Sequence, residues 1–454
     1  MLRRLQQFVT DHLALLLVSY QAKGRRFPAV WLREFQLFLT CANPSAGHAI
    51  AGCSSCGFER VIYYSCKRRS MCWRCVIRRR DDLIPHIMQN VLPRCRARHV
   101  VLTLPIVLRI NLRSEPKILS AVRHIFIRRL FHHLRMKAKR VLGIEYARLA
   151  HPGAISVTHY VSSILEKNIH FHAVILDGVC LQEKHGGPAT FHPLPGFTED
   201  ELTTVARDIC RKTRGMLIRR GLWVDSREPA PMNTVRGSIT LRKVHRVTLY
   251  GTAARAKPAA DVQPEWQAFR LFAGDAIEPN DRIALKNLML YLLSPPFTGR
   301  RLSILGPDTI RLRLRRPRRD GSLTVTFTGH EWMQALIALI AHPRQHNISY
   351  HGALGRRSPI RKWLPSITTI PPKPFPVHRD PETADYRRVR LALHVRAHRE
   401  QFSRCPSCSD KLVIVMMETP RMHYSNPAWI HPDTPVRPAA APAHRPEQEQ
   451  STTT

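Results

Sequence analysis

The hydrophobic pattern changes period several times along the chain. In residues 1–40, Leu5, Phe8, Leu13 and Leu15 to Leu17, then Trp31, Phe35 and Phe38, recur at helical spacing and predict a pair of packing helices. Arg98–Pro105 is a strand-like run ended by proline. Residues 115–142 predict a basic amphipathic helix. Ile118, Val122, Ile125, Phe126 and Leu130 form its apolar face, and Arg128, Arg129, His132, Lys137, Lys139 and Arg140 lie elsewhere. Ala154–Tyr160 predicts a second strand, which carries His159. Asn168–Gly178 predicts a third, mostly apolar and β-branched and closed by the turn pair Asp177-Gly178. Residues 183–280 carry less pattern. His192-Pro-Leu-Pro195 reads as a loop, Glu199–Arg220 as a helix with Leu202, Val205, Ile209 and Leu217 inward, and 221–265 as an inserted hairpin plus loop. Asp281–Leu293 predicts a helix stopped by Ser294-Pro-Pro296. Arg300–Arg315 and Ser322–Phe327 alternate apolar and basic or polar residues. They predict a hairpin turning at Asp320-Gly321, with one core face and one basic face. Glu331–Ile340 is a short apolar helix, and 342–352 a polar, histidine-rich stretch.

Strand, helix, strand and strand in that order suit an α+β domain, an antiparallel sheet with helices on one face. Side chains alternate faces along a strand, so His170 and His172 point one way and Phe171 the other. Two neutral imidazoles on one face are a ready pair of metal ligands.

Charge then narrows the partner. The chain of 454 residues carries 71 Lys+Arg against 33 Asp+Glu, a net charge of +38 with a pI near 10.9. Such a chain attracts polyanions, nucleic acid first. No apolar run reaches the ~18 residues of a membrane span, and the N-terminus lacks a clear cleavage site, so no signal peptide and no membrane partner are expected.

Six of the 11 cysteines fall in Cys41–Cys75. Cys53-Ser-Ser-Cys56 and Cys72-Trp-Arg-Cys75 predict one tetrahedral four-cysteine zinc site, in a reducing compartment, within a small N-terminal module. Cys41 and Cys66 are spare: each could replace a ligand or be a buried small apolar residue. Cys405-Pro-Ser-Cys408 supplies half a zinc site, with no second half evident nearby. Beside the knuckles, Lys67, Arg68, Arg69, Arg74, Arg78 and Arg79 are expected to meet DNA phosphates.

Several stretches together resemble one family, the rolling-circle insertion-sequence transposases of the HUH type, nearest the single-tyrosine common-region (ISCR-like) group. They are Ser65-Cys-Lys-Arg68 with its flanking knuckles, His99-Val-Val-Leu-Thr-Leu-Pro105, Asn168–Val179, Tyr291-Leu-Leu-Ser-Pro-Pro296, Arg319-Asp-Gly321, Tyr350-His-Gly352 and Cys405-Pro-Ser-Cys408. The resemblance implies an HUH endonuclease fold. His170, His172 and a third ligand would hold Mg2+ or Mn2+, and Tyr291 would be the nucleophile. His159 stands where the family tends to have Gln, and is expected to be the third ligand. The chain departs from the family at Leu290 and Ser294, where Arg is usual, and at Trp73, where the knuckle usually has Pro.

The expected layout is a helical and zinc-binding DNA-binding module over 1–95 and an HUH catalytic domain over 96–362. A linker with a Cys-x-x-Cys segment follows over 363–425, then a disordered tail over 426–454. The expected function is a transposase that nicks and rejoins single-stranded DNA at the ends of its mobile element through a phosphotyrosine. Zinc would be structural. DNA, single- and double-stranded at the element ends, would be the partner, in a bacterial-type cytoplasm at the nucleoid. A zinc-dependent DNA-binding protein without catalysis, and a replication initiator or relaxase of the same fold, are the alternatives.

Overall fold

The computed structural model describes residues 1–112, 115–182, 187–222, 269–318, 320–343, 345–364, 405–410 and 412–418. Arg319, the insert expected at 221–265 (its first two residues apart), the linker at 365–381 and the tail after Asn426 lie outside these residues.

The chain opens with helices α1 (Leu2–Ala22) and α2 (Ala29–Leu39), the pair that the 1–40 pattern predicts. Strands β1 (His48–Cys53) and β2 (Glu59–Tyr63) and helix α3 (Trp73–Asn90) follow. Next come β3 (Ala97–Thr103), the short α4 (Ile106–Asn111) and the long α5 (Pro116–Leu142). Strands β4 (Gly153–Val161), β5 (Lys167–Leu176), β6 (Gly178–Gln182) and β7 (Ala189–Pro193) lead to α6 (Glu199–Arg219). Then come β8 (Arg270–Ile277), α7 (Arg282–Leu293), β9 (Leu302–Gly306), β10 (Thr309–Arg313), β11 (Thr324–Thr328), α8 (Gly329–Leu339), β12 (Ile348–Gly352) and β13 (Leu412–Glu418).

The central sheet has the order β12-β4-β5-β3-β8, and every neighbouring pair is antiparallel. The α+β class therefore stands, but helices cover both faces rather than one. Strand β5 is apolar on both sides, which requires it. Phe171, Ala173 and Ile175 are buried with Phe126 and Leu130 of α5, and the Phe171 and Phe126 rings stack at 6.4 Å. On the opposite side Val174 and Leu176 are buried with Ile84 and Ile87 of α3 and Leu285, Met289 and Leu292 of α7. Burial of this kind contributes roughly 1.5–3 kcal/mol per large apolar side chain.

Four local readings change. Lys137, expected off the apolar face of α5, is buried all the same, donating to the Glu201 carboxylate and the Gly196 carbonyl, each at 2.7 Å. His192 and Pro193 close strand β7 instead of forming a loop. The basic hairpin is a three-stranded sheet, β9-β10-β11, because Pro307-Asp308 adds a turn before Thr309. The polar stretch 342–352 contributes the edge strand β12.

At the N-terminal end a second antiparallel sheet has β1 in the middle, between β2 and β13. No helix among the described residues is long and apolar enough to cross a membrane.

Candidate active site and cysteine clusters

Register brings the histidines together. His159 on β4 stands directly opposite His170 on β5, and His172 lies two residues on, on the same face. Their ligating nitrogens all lie within 4.8 Å of one another. Each ring has one nitrogen engaged outside the cluster. His170 Nδ1 donates to the Asn168 carbonyl at 2.7 Å, which leaves Nε2 with its lone pair. His159 Nε2 donates to the Leu292 carbonyl at 2.8 Å, which leaves Nδ1. His172 Nδ1 meets His99 Nε2 at 2.9 Å. His172 Nε2 is buried and has no partner.

A buried nitrogen without a partner costs free energy unless something accepts its lone pair or proton. Here it points into a nest of two further imidazoles. All three rings are held neutral. Burial drives the His159 pKa down to about 4, with the neighbouring His170 adding to it. Burial also lowers those of His170 and His172, and His159 presses further on His172. Neutral imidazole is the ligating form. The donor set, the convergence and the orphaned nitrogen all fit a transition-metal-type cation.

Helix α7 lies over this nest. Asp281 caps its N-terminus by accepting from the Ala284 N–H at 2.9 Å, and Ser294-Pro-Pro296 ends it. Tyr291 sits in the last turn, 52% exposed, with its ring perpendicular to His172 at 6.2 Å between centroids. The segment after it is gripped by arginines. Arg80 donates to the Ser294 hydroxyl at 2.9 Å, Arg301 to the Pro296 carbonyl at 3.1 Å and Arg315 to the Pro295 carbonyl at 3.4 Å.

Tyr291, His159 and His170 line one cleft of about 1190 Å3. Arg69, Arg79, Arg80, Arg301, Arg315, Arg316 and Arg318 line it too, with Asp82 the acidic group among them. Of the cations expected at DNA, Arg69 and Arg79 reach this cleft, and Lys67 and Arg74 are exposed elsewhere on the knuckle side. Arg78 is half-buried. Arg68 is engaged otherwise: it pairs with the buried Glu34, which Ser70 also reaches at 2.8 Å. Sequence reasoning did not assign His99, Arg301, Arg316 or Arg318. His99 follows only from register, since it faces Val174 beside His172.

The cysteines sort differently from the expected quartet of Cys53, Cys56, Cys72 and Cys75. Cys72 and Cys75 lie with Cys41 and Cys66, while Cys53 and Cys56 lie with Cys405 and Cys408. The reason is the length of the β1–β2 hairpin. Cys41 and Cys66 flank its open end, where the Ala42 N–H donates to the Tyr64 carbonyl at 2.8 Å. Cys53 and Cys56 occupy its closed end. Six residues at about 3.3 Å each put the two ends roughly 20 Å apart, beyond the reach of one tetrahedral ion.

Residues 13–104 match a family model described as "Transposase zinc-binding domain", and residues 153–361 match one described as "Putative transposase". No curated protein and no solved structure matches the chain. The first match spans the knuckles, β3 and the cleft wall from Arg69 to His86, and the second spans β4 to Arg361, the three histidines and Tyr291 included. Together they cover about two thirds of the chain, in the order zinc-binding part then transposase part. These matches and the cysteine clusters support structural zinc and a role in DNA transposition, and the chain belongs to the IS91-like family of transposases.

Proposed function

We propose that this transposase nicks and rejoins single-stranded DNA by way of a covalent phosphotyrosine at Tyr291, in an HUH-type, rolling-circle reaction. One observation carries the reading: three neutral imidazoles converge beneath an exposed tyrosine, at the floor of a cleft that His159, His170 and seven arginines line.

His159, His170 and His172 would hold a divalent cation. Mg2+ seeks hard oxygen ligands, and a nest of three imidazoles favours Mn2+ over it. Bound there, the cation would supply Lewis-acid polarisation and charge neutralisation at the scissile phosphate. The chain's own residues do the rest. His99 accepts the Nδ1 proton of His172, so that the orphaned Nε2 offers its lone pair; this is the outer-shell role that usually fixes a ligand's tautomer. The arginines hold the flanking phosphates and orient the scissile one. Arg80 brings a cation to Ser294, where the family usually carries its own arginine.

The Tyr291 oxygen attacks phosphorus in line. The new bond is Tyr291 Oη–P, and the bond broken is P–O3′. The 3′ oxygen leaves with the electron pair and is protonated to a free hydroxyl, while the 5′ end stays on the tyrosine. A 3′ hydroxyl of another strand then attacks the phosphotyrosine and restores Tyr291. Bond energy is conserved in the ester, so joining needs no nucleotide cofactor.

A cleft open to solvent and lined by cations suits a single strand, whose backbone tracks the arginines. Cys41, Cys66, Cys72 and Cys75, with sulfur separations of 3.5–3.6 Å, are the ligands we assign to the zinc of the N-terminal domain.

The test is incubation with single-stranded DNA carrying the element's own end and Mn2+, followed by a denaturing protein gel. A DNA-shifted band, absent in Tyr291→Phe and with EDTA, is expected. Cleavage that survives Tyr291→Phe would overturn the assignment.

A further inference from the structure

We infer a second zinc site, formed by Cys53, Cys56, Cys405 and Cys408, that clasps the chain segment 405–418 onto the N-terminal hairpin. The residues come from stretches 349 and 355 positions apart for the pairs Cys56–Cys405 and Cys53–Cys408. Cys405 and Cys408 lie outside both matched regions.

The geometry of the two Cys-x-x-Cys turns carries the inference. In the first, the Cys53 N–H donates to the Phe58 carbonyl at 2.8 Å and the Gly57 N–H to the Cys53 carbonyl at 3.0 Å. In the second, the Cys405 N–H donates to the Asp410 carbonyl at 2.6 Å and the Ser409 N–H to the Cys405 carbonyl at 2.8 Å. The residue after each second cysteine is left-handed, Gly57 at φ 71° and Ser409 at φ 62°. Serine adopts that conformation only at some cost, so the matched turn is maintained against a local preference. The two turns are one backbone motif used twice. Each offers sulfurs at its first and fourth positions, and the two face each other.

The sulfurs meet at 3.5 Å for Cys53–Cys408 and 3.4 Å for Cys56–Cys405, and all four lie within 4.8 Å. Zinc at about 2.3 Å from each sulfur puts neighbouring sulfurs roughly 3.8 Å apart in a tetrahedron. A disulfide needs about 2.05 Å. The Ser407 N–H also points at Cys405 Sγ, at 3.4 Å, as donors do around a metal-bound thiolate.

Packing alone is too small to hold this end. The buried residues here are Ala51, Cys53, Cys405 and Leu412, two of them ligands. Strand β13 nevertheless pairs with β1 from Leu412 to Glu418, and a Cβ on Gly52 would sit 3.0 Å from Val415 Cγ1. A metal that joins two turns supplies what so small a core cannot.

The test uses the full chain, purified under reducing conditions. Total zinc by plasma mass spectrometry is expected at two ions per chain, and at one in Cys405→Ser/Cys408→Ser. Co2+ replacing Zn2+ should give a thiolate-to-metal absorption band that falls by half in the same variant. Hydrogen exchange should lose protection over 412–418 while β4 and β5 keep theirs. One zinc per chain in the unaltered protein, or an unchanged count in the variant, overturns the site. So does recovery of a Cys53–Cys408 disulfide from the native protein. If the variant fails to fold, the count and the cobalt band of the unaltered chain still decide.

Discussion

The histidine nest and the cysteine clusters are both sets of converging ligands, but they are assembled by different rules. In the nest, two ligands share one strand and the third stands opposite on its neighbour. Strand periodicity fixes the first relation and one register choice fixes the second. In the cysteine clusters, spacing inside each knuckle is local, but which knuckle meets which depends on hairpin length and on a segment some 350 residues away. The two ligands that share one strand are therefore readable from sequence, whereas a set that closes a tertiary contact is not.

Substitutions can break that contrast, and the largest effect belongs to Tyr291, the proposed nucleophile above the nest. Tyr291→Phe should lower covalent adduct formation at least about 10³-fold, a loss of the order seen when a catalytic nucleophile is removed. Zinc content and DNA binding should stay unchanged; quantitative gels beside filter binding check this. Next comes the buried cluster of Cys41, Cys66, Cys72 and Cys75. Cys72→Ser/Cys75→Ser should unfold the N-terminal module and release one zinc ion, as circular dichroism and metal analysis would report. Retained zinc would mean that the pairing is wrong.

A smaller effect separates a ligand from the residue behind it. His99→Gln should weaken Mn2+ binding about 10–100-fold, typical of an outer-shell partner. His172→Gln should abolish it in a calorimetric titration. Equal losses in the two variants would place His99 among the ligands.

Acid should act on the nest without metal. Burial holds His99 and His159 at about 4, below the ordinary 6.5. The unfolded chain thus binds protons that the folded chain refuses between pH about 6.5 and about 4. Stability falls as pH drops through that window, by roughly 1–3 kcal/mol for each such histidine. Melting with EDTA at pH 7 and pH 4.5 should show the drop, and His99→Gln should reduce it. The smallest change expected is at the cleft wall. Arg316→Ala should lower the slope of log affinity against log salt by about 1 and weaken all single-stranded sequences alike.

Much of the histidine nest was legible. The alternation around Phe171 placed His170 and His172 on one face, and Pro295-Pro296 ended the helix that carries Tyr291. The second face of the sheet was not legible, because Val174 and Leu176 look alike whether a helix or the sheet's own edge covers them. Lys137 was misplaced for a related reason: its partner Glu201 comes from α6, and no pattern within α5 announces it. Arg68 reads as a DNA contact until Glu34, buried on α2, is found beside it.

The bond from His159 to the Leu292 carbonyl has a mechanical meaning. The peptide that follows Tyr291 is tied to the floor of the nest, so helix and imidazole form a caliper of fixed opening. Moving the helix with its tyrosine away from the nest would break this bond to His159. In the proposed reaction, exchange between bound and departing strands would then favour rotation of the Tyr291 side chain about its own bonds over movement of its helix.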